Sequence, residues 1–481
     1  MPAAKTLSLK NLEALGAARL AELVMEISAG DPAIKRRLRL ELAGKAGAGD
    51  IAREIQKRIA TLAKSTSFVD WNRTMPLSDD LEAHHRAIVD VVAKSDPARA
   101  YDLLWRFMEL VDPIMARCDD SSGHLGDLFQ TAAMDLPALA IAARVQPDEL
   151  ARNVFGALRA NGYGQYDGLI SAMAGALGPS GIEALKQRIL DWASEAPERP
   201  ASNERKLIGY GASGPIYRDD IEVSYRDRTI ASALRDIADC QGDVDAFISQ
   251  YKPEERGAPQ IAVNIAARLL KAGRAAEALA TVDAIDPVKA RWSSVDWRQV
   301  RIEALRALGR VEEAKAFEWK CFSETLDGRH LRSYLKGLPD FDDVEAEERA
   351  MALALGFPDV YVPLNFLIDW PALDRASALV LSRFEELDGD HYMLLGPAAE
   401  ALEARYPLAA TLIRRAMIDF ALNAARAKRY PHAARHLADC AADAARIPDF
   451  GPHLSHEAYV AKLKAEHGRK AAFWQSVRSK A

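Results

Sequence analysis

Leu269-Leu270-Lys271-Ala272-Gly273-Arg274-Ala275-Ala276-Glu277-Ala278 returns 36 residues later as Leu305-Arg306-Ala307-Leu308-Gly309-Arg310-Val311-Glu312-Glu313-Ala314. Each copy carries the end of one apolar 3–4 periodic segment into the start of the next through a glycine. Glycine suits that place because the left-handed backbone that closes a helix costs it no Cβ clash. Ala278 and Ala314 fall where a small residue lets two helices approach. A weaker third copy, Ala427-Lys428-Arg429-Tyr430-Pro431-His432-Ala433, keeps the alanine at 433 and has no glycine. Ala266 and Ala421 take the matching small position on the preceding helix, and Ile302 departs from it.

These segments resemble tetratricopeptide repeats, although a spacing of 36 exceeds the roughly 34 of that family. The resemblance covers the ends of three units in the C-terminal part, and it implies paired helices stacked as repeats. Outward from them the same helical reading extends over most of the chain. Apolar residues recur at helical spacing, as in Leu9, Leu12, Leu15, Leu20, Leu23, Val24 and Ile27. Asp31-Pro32 and Asp96-Pro97 place a capping carboxylate before a first-turn proline. Ser78 with Glu82 reads as another helix start, and Gly178-Pro179 and Asp286-Pro287 close or reopen helices. The expected fold is all-α: helical hairpins stacked as an α-solenoid, tetratricopeptide-like in the C-terminal half.

One stretch breaks the pattern. Residues 201–227 hold Gly209-Tyr210-Gly211-Ala212-Ser213-Gly214-Pro215 and an alternating piece, Ile221-Glu222-Val223-Ser224-Tyr225. The expected division is an N-terminal helical domain over 1–200, a linker with room for a small hairpin over 201–227, and a helical-repeat domain over 228–481. Gly209–Gly214 is a literal GxGxxG, but no buried strand precedes it and no helix reads directly after it. The dinucleotide-binding reading fails on that context.

Composition narrows the function. A net charge of −6 gives no general attraction to phosphate or anionic lipid, so nucleic acid would need a local basic face. Lys35-Arg36-Arg37-Leu38-Arg39 with Arg53, Lys57, Arg58 and Lys64 is the one candidate, and interleaved leucines and glutamates make it read as solvated helix faces. The N-terminus lacks the apolar core of a signal peptide, and no run of about 18 apolar residues appears. A cytoplasmic location without a membrane span is expected. Cys118, Cys240, Cys321 and Cys440 lie far apart and read as reduced thiols.

Few residues offer chemistry. His432, His436 and Cys440 fall at i, i+4 and i+8 and share a helix face, the spacing of a metal site, but no glutamate follows His432 as HExxH would need. The flanked stripe Ala433, Leu437 and Cys440 reads as core, so no metal or cofactor is expected. His84 and His85 read as surface or capping residues. The turn Asp119-Asp120-Ser121-Ser122-Gly123-His124, with Asp127, supplies a candidate binding cluster of Asp119, Asp120, Ser121, His124 and Asp127. Capping accounts for the same residue types. No catalytic residue is assigned.

Phe68-Val69-Asp70-Trp71, Leu104-Trp105-Arg106-Phe107, the Asp119–Phe129 segment and Gly242-Asp243-Val244-Asp245-Ala246-Phe247 stand together with a tail of Tyr459-Val460-Ala461-Lys462-Leu463, His467-Gly468-Arg469-Lys470 and Phe473-Trp474. In this combination the chain resembles a bacterial all-helical family, domain-of-unknown-function family six-eight-eight-zero, over nearly its whole length. Its later half also resembles the helical region of SWIM zinc-finger proteins, without the finger's CxC and CxH ligands. The resemblance implies no activity and carries over no catalytic residue. The leading expectation is a scaffold that binds a protein or peptide on a helical-repeat surface. The alternatives are an enzyme or small-molecule binder at Asp119–Asp127 and, more weakly, nucleic-acid binding through the basic N-terminal helices. The oligomeric state stays open.

Overall fold

The computed structural model describes residues 7–30, 32–197, 199–201, 203–211, 214–286, 288 and 296–479. Asp31, Ala212-Ser213 and Pro287, all used in the sequence reading, lie outside them. The chain forms two compact units, Met1–Arg256 and Gly257–Ala481. The 201–227 stretch falls inside the first.

The longer helices of the first unit run α1 (Ala17–Ser28), α2 (Pro32–Ala46), α3 (Ala48–Ala63), α4 (Trp71–Ala87) and α5 (Pro97–Met108). They continue as α6 (His124–Ala142), α7 (Pro147–Arg159), α8 (Leu169–Ser194) and α9 (Arg218–Gln241). Neighbours in sequence pack together, as α7 on α8 and α8 on α9. Their shared core includes Phe107 and Phe129, whose ring centroids lie 5.4 Å apart. Asp96 caps α5, accepting the Arg99 amide at 3.0 Å, with Pro97 in the first turn. Gly178, at φ 60°, kinks α8 ahead of Pro179.

Three readings need correction. Ser78 does not start a helix: α4 begins at Trp71, where Asp70 accepts the Asn72 amide, and passes through Pro76 and Ser78. Pro76 lies inside the helix, so the Asn72 carbonyl one turn earlier goes without its helical amide partner. Ile221–Tyr225 is not extended but lies in α9. Asp219 and Asp220 sit in that helix's first turn, favoured by its dipole, and both are bridged by Arg205. Just before it, β1 (Leu207–Gly211) pairs antiparallel with β2 (Gly214–Tyr217). His84 and His85 are buried, not superficial: His84 Nδ1 lies 2.6 Å from the Asp80 carbonyl and His85 Nε2 2.7 Å from Asp135 Oδ2.

The second unit opens with α10 (Pro259–Lys271) and α11 (Ala275–Asp283), then α12 (Trp297–Ala307) and α13 (Val311–Thr325). It continues with α14 (Gly328–Lys336), α15 (Asp342–Leu355), α16 (Tyr361–Asp369), α17 (Leu373–Arg383) and α18 (Tyr392–Glu403). The last helices are α19 (Pro407–Asn423), α20 (Tyr430–Ala444), α21 (His456–His467) and α22 (Ala471–Arg478). Both units are thus all-α apart from the hairpin, built of stacked helical pairs.

The repeat turns behave as their glycines predict. Gly273 and Gly309 adopt φ 75° and 72°, and the following amides reach back five residues, Arg274 to Leu269 at 2.8 Å and Arg310 to Leu305 at 2.9 Å. Ala266, Ala278, Ala314, Ala421 and Ala433 are all buried at the helix contacts, and so is Ile302. The third turn uses the same bond, Arg426 to Ala421 at 2.9 Å, but its left-handed residue is Ala425, φ 50°. A 3-10 turn, Ala427–Arg429, separates it from α20, so the turn lies before Lys428 rather than at it. An exposed alanine held left-handed costs about 1 kcal/mol that glycine would not, partly offset by glycine's freer unfolded chain. Ala425→Gly is therefore expected to stabilise the unit by about 0.5 kcal/mol. A lower denaturation midpoint for that variant would refute the account.

Candidate functional site

The C-terminal helices form a groove. α20 is rich in alanine, and α21 and α22 meet at a tight turn around Gly468. There the Trp474 indole donates to the His467 carbonyl at 3.0 Å. Phe473, fully buried, stacks edge-on to Trp474 at 4.9 Å and fixes that ring's position. Between the three helices lies a groove of about 880 Å³. Its walls are Leu437, Val460, Trp474 and Val477, with Ala434 and Ala441 keeping it open on the α20 side. Lys464 and Arg478 line it as exposed cations. From Val460 to Ala481 the sequence holds six basic residues against one acidic, so an occupant meets positive charge.

Beneath this groove α19 is buried on every side from Ala409 to Ile418, and that run includes two arginines. Arg414 donates to Glu403 at 2.5 Å and to Asp443 at 2.7 Å, and Asp439 lies 3.8 Å away. Burial works to lower its pKa, but the Glu403 hydrogen bond and the three carboxylates outweigh it, and the pKa rises. Arg415 behaves oppositely, its pKa pulled below the ordinary value by burial.

His436, on α20, is half-buried with Nδ1 3.9 Å from Asp439. Burial, aided by Arg414, Arg435 and His432, lowers its pKa to about 4, against the pull of Asp439. The unfolded chain titrates near 6.5, so between those values only the unfolded chain takes the proton. Stability is complete above about 6.5 and falls by about 1.4 kcal/mol per pH unit below it. Burial shifts His84 and His456 the same way. Denaturant titrations at pH 7 and 5 should show a loss of about 2 kcal/mol from His436 alone. His436→Gln should reduce the pH dependence by that amount, and an unchanged dependence would refute it.

The residues singled out in sequence sit elsewhere. In the Asp119–Asp127 turn the Asp120 carboxylate is used locally, accepting the Leu125 and Gly126 amides at 3.1 and 3.0 Å at the start of α6. Asp119 accepts the Ser121 amide at 3.2 Å, and its own amide donates to Val69 at 3.0 Å. Asp119, Ser121, His124 and Asp127 are exposed. Chemically, the turn ties the segment before α4 to the start of α6. His432 is exposed while Cys440 is fully buried, its thiol 3.8 Å from the Thr411 carbonyl, so α20 does not gather them at one accessible point. Among the described residues no three histidine, cysteine or carboxylate side chains are placed to hold a metal.

In the basic N-terminal run, Arg36 and Arg58 are turned onto Asp80. Arg53 pairs with Asp50 and Lys57 with Glu54. Much of that charge is neutralised before any phosphate could meet it. Among the described residues no helix is long and apolar enough to cross a membrane.

Compared with known proteins, residues 2–476 match the model of the Family of unknown function (DUF6880). The chain belongs to this family. No curated protein matches it. One solved structure that aligns is a "Circular tandem repeat protein with novel repeat topology and enhanced subunit contact surfaces". It is 13% identical, with 98% of this chain and 95% of that chain covered, at a TM-score of 0.14. At that score the likeness carries no structural argument.

Within this DUF6880 chain, sequence reasoning missed Arg414 and Arg415. The signal was present: Thr411-Leu412-Ile413 and Ala416-Met417-Ile418 flank them, and a helix with no polar face around them is buried on every side.

Proposed function

We propose that this protein is a helical-repeat interaction protein whose C-terminal groove receives an amphipathic helix of a partner, with acidic residues flanking its apolar stripe. The observation that carries this reading is the α20–α22 groove: apolar walls, alanines where a helix backbone can approach, and Lys464 and Arg478 beside them. An apolar helix face laid in such a groove gains from burial, while the flanking charges set orientation. The adjacent basic sequence favours an acidic partner over a basic one. No catalytic step is assigned.

The test is a displayed library of amphipathic helical peptides of varied charge, panned on the full chain. Enriched peptides should be acidic, should bind less tightly as salt rises, and should lose at least about tenfold in affinity to Ala441→Trp, which fills the groove. Lys464→Glu should weaken them as well. Enrichment of basic peptides, or acidic binders indifferent to Ala441→Trp, would overturn the proposal.

A further inference from the structure

In α1, Leu20, Leu23, Val24 and Ile27 fall at i, i+3, i+4 and i+7 and so share one apolar stripe. Leu20 and Leu23 are only half-buried, and Val24 and Ile27 are 38% and 64% exposed. Among the described residues, no other helix of eight residues or more leaves all its apolar side chains unburied. A stripe of this kind normally faces a core, so its exposure marks a contact surface.

Charge indicates what covers it. Glu22 and Glu26, four residues apart, run along one edge of the stripe. Arg19 lies 2.8 Å from Glu22 and 3.7 Å from Glu26, but all three side chains are more than half exposed. Such pairs hold weakly and can be exchanged for another cation. From Glu13 to Ser28 the sequence carries three acidic residues against one basic. A helix that lies on anionic lipid carries lysine and arginine on its polar face, which α1 does not. The α20–α22 groove has the complementary features: apolar walls at Leu437, Val460 and Trp474, with Lys464 and Arg478 exposed beside them.

We propose that α1 of one copy fills the α20–α22 groove of a second copy, its stripe against the apolar walls and Glu22 and Glu26 toward Lys464 and Arg478. This inference rests on the helix-binding reading of the groove and identifies the partner as another molecule of the same chain. The two surfaces differ, so the contact is heterologous. Copies then add head to tail, into a ring or an open chain.

Sedimentation velocity of the full chain between about 1 and 100 μM should show a mass that rises above the monomer with concentration. Ile27→Glu and Ala441→Trp should each move that assembly at least about tenfold higher in concentration. Both positions are exposed, so neither change disturbs the core. Mixed together, the two variants should regain one contact and stop at a dimer, because the Ile27→Glu chain keeps a working groove and the Ala441→Trp chain a working helix. A monomer at every concentration, assembly indifferent to either variant, or variants that do not pair when mixed would each overturn the proposal. Its failure is distinct from that of the helix-binding reading. Acidic peptides that depend on Ala441, found beside a monomeric wild type, would keep the groove as a helix site and remove only α1 as its occupant.

Discussion

Asp80→Ala is expected to destabilise the first unit by about 3 kcal/mol. Asp80 is the pivot of three helices: its carboxylate accepts Arg36 of α2 at 3.2 Å and Arg58 of α3 at 2.7 Å, while its carbonyl meets His84 one turn along α4. Its side chain is 5% exposed, so the charge is compensated by those arginines and not by water. Removing it leaves two guanidinium groups facing one another. The loss stays near the lower end of the range for a broken buried pair because Arg36, at 32% exposure, can rehydrate. The buried imidazole of His84, kept neutral near pH 7 by its lowered pKa, neither replaces the lost negative charge nor adds a third positive one. Hydrogen exchange should show α2 and α3 losing protection first. Combining Asp80→Leu with Arg58→Met should recover much of the loss, since an apolar pair can replace a buried ionic one. A single variant as stable as the wild type would refute the pivot.

Phe322→Ala should cost the second unit about 3–5 kcal/mol. Phe322 is fully buried on α13, with Trp319 at 5.7 Å and Phe366 of α16 at 5.3 Å. Those rings continue to Tyr334 of α14 and to Trp370, at 5.3 and 5.6 Å. Alanine would leave a cavity at the centre of a chain of rings that joins three helices, and large side chains around it can collapse only in part. Arg349 and Arg332, seated over Trp319 and Trp370, hold the outer rings in place and limit that relaxation. Because Trp319 borders the void, tryptophan fluorescence should report the change along with the denaturation midpoint. A loss below about 1 kcal/mol would mean that the site repacks freely.

Gly273 and Gly309 made two turns legible, because glycine is the residue a left-handed helix end asks for. Ala425 hid the third, since alanine announces no such conformation and a 3-10 turn shifts the register behind it. Ile221–Tyr225 misled because five alternating residues look like strand only in isolation. The acidic first turn and the long helical run after it decide the outcome. The Asp119–Asp127 turn was legible as a turn, and its capping role follows from the same residue types that suggested a site. The groove was not legible: it depends on how three helices meet, and Ala434, Ala441 and Val477 look like ordinary helix residues in sequence. Arg415 was hidden for a related reason, since an arginine is assumed to reach water until every neighbour on its helix proves to be core.

The five-residue back-bond closing Gly273 and Gly309 recurs after Arg144, Gly242 and Ala425, in both units. Such a turn finishes its own helix, and nothing in the next helix is needed to satisfy it. A lineage could therefore splice helical pairs in or out at these points without orphaning a single backbone amide. Length is then an evolutionary variable that such a chain can change at low risk, leaving the contact faces between neighbouring pairs as the part under selection.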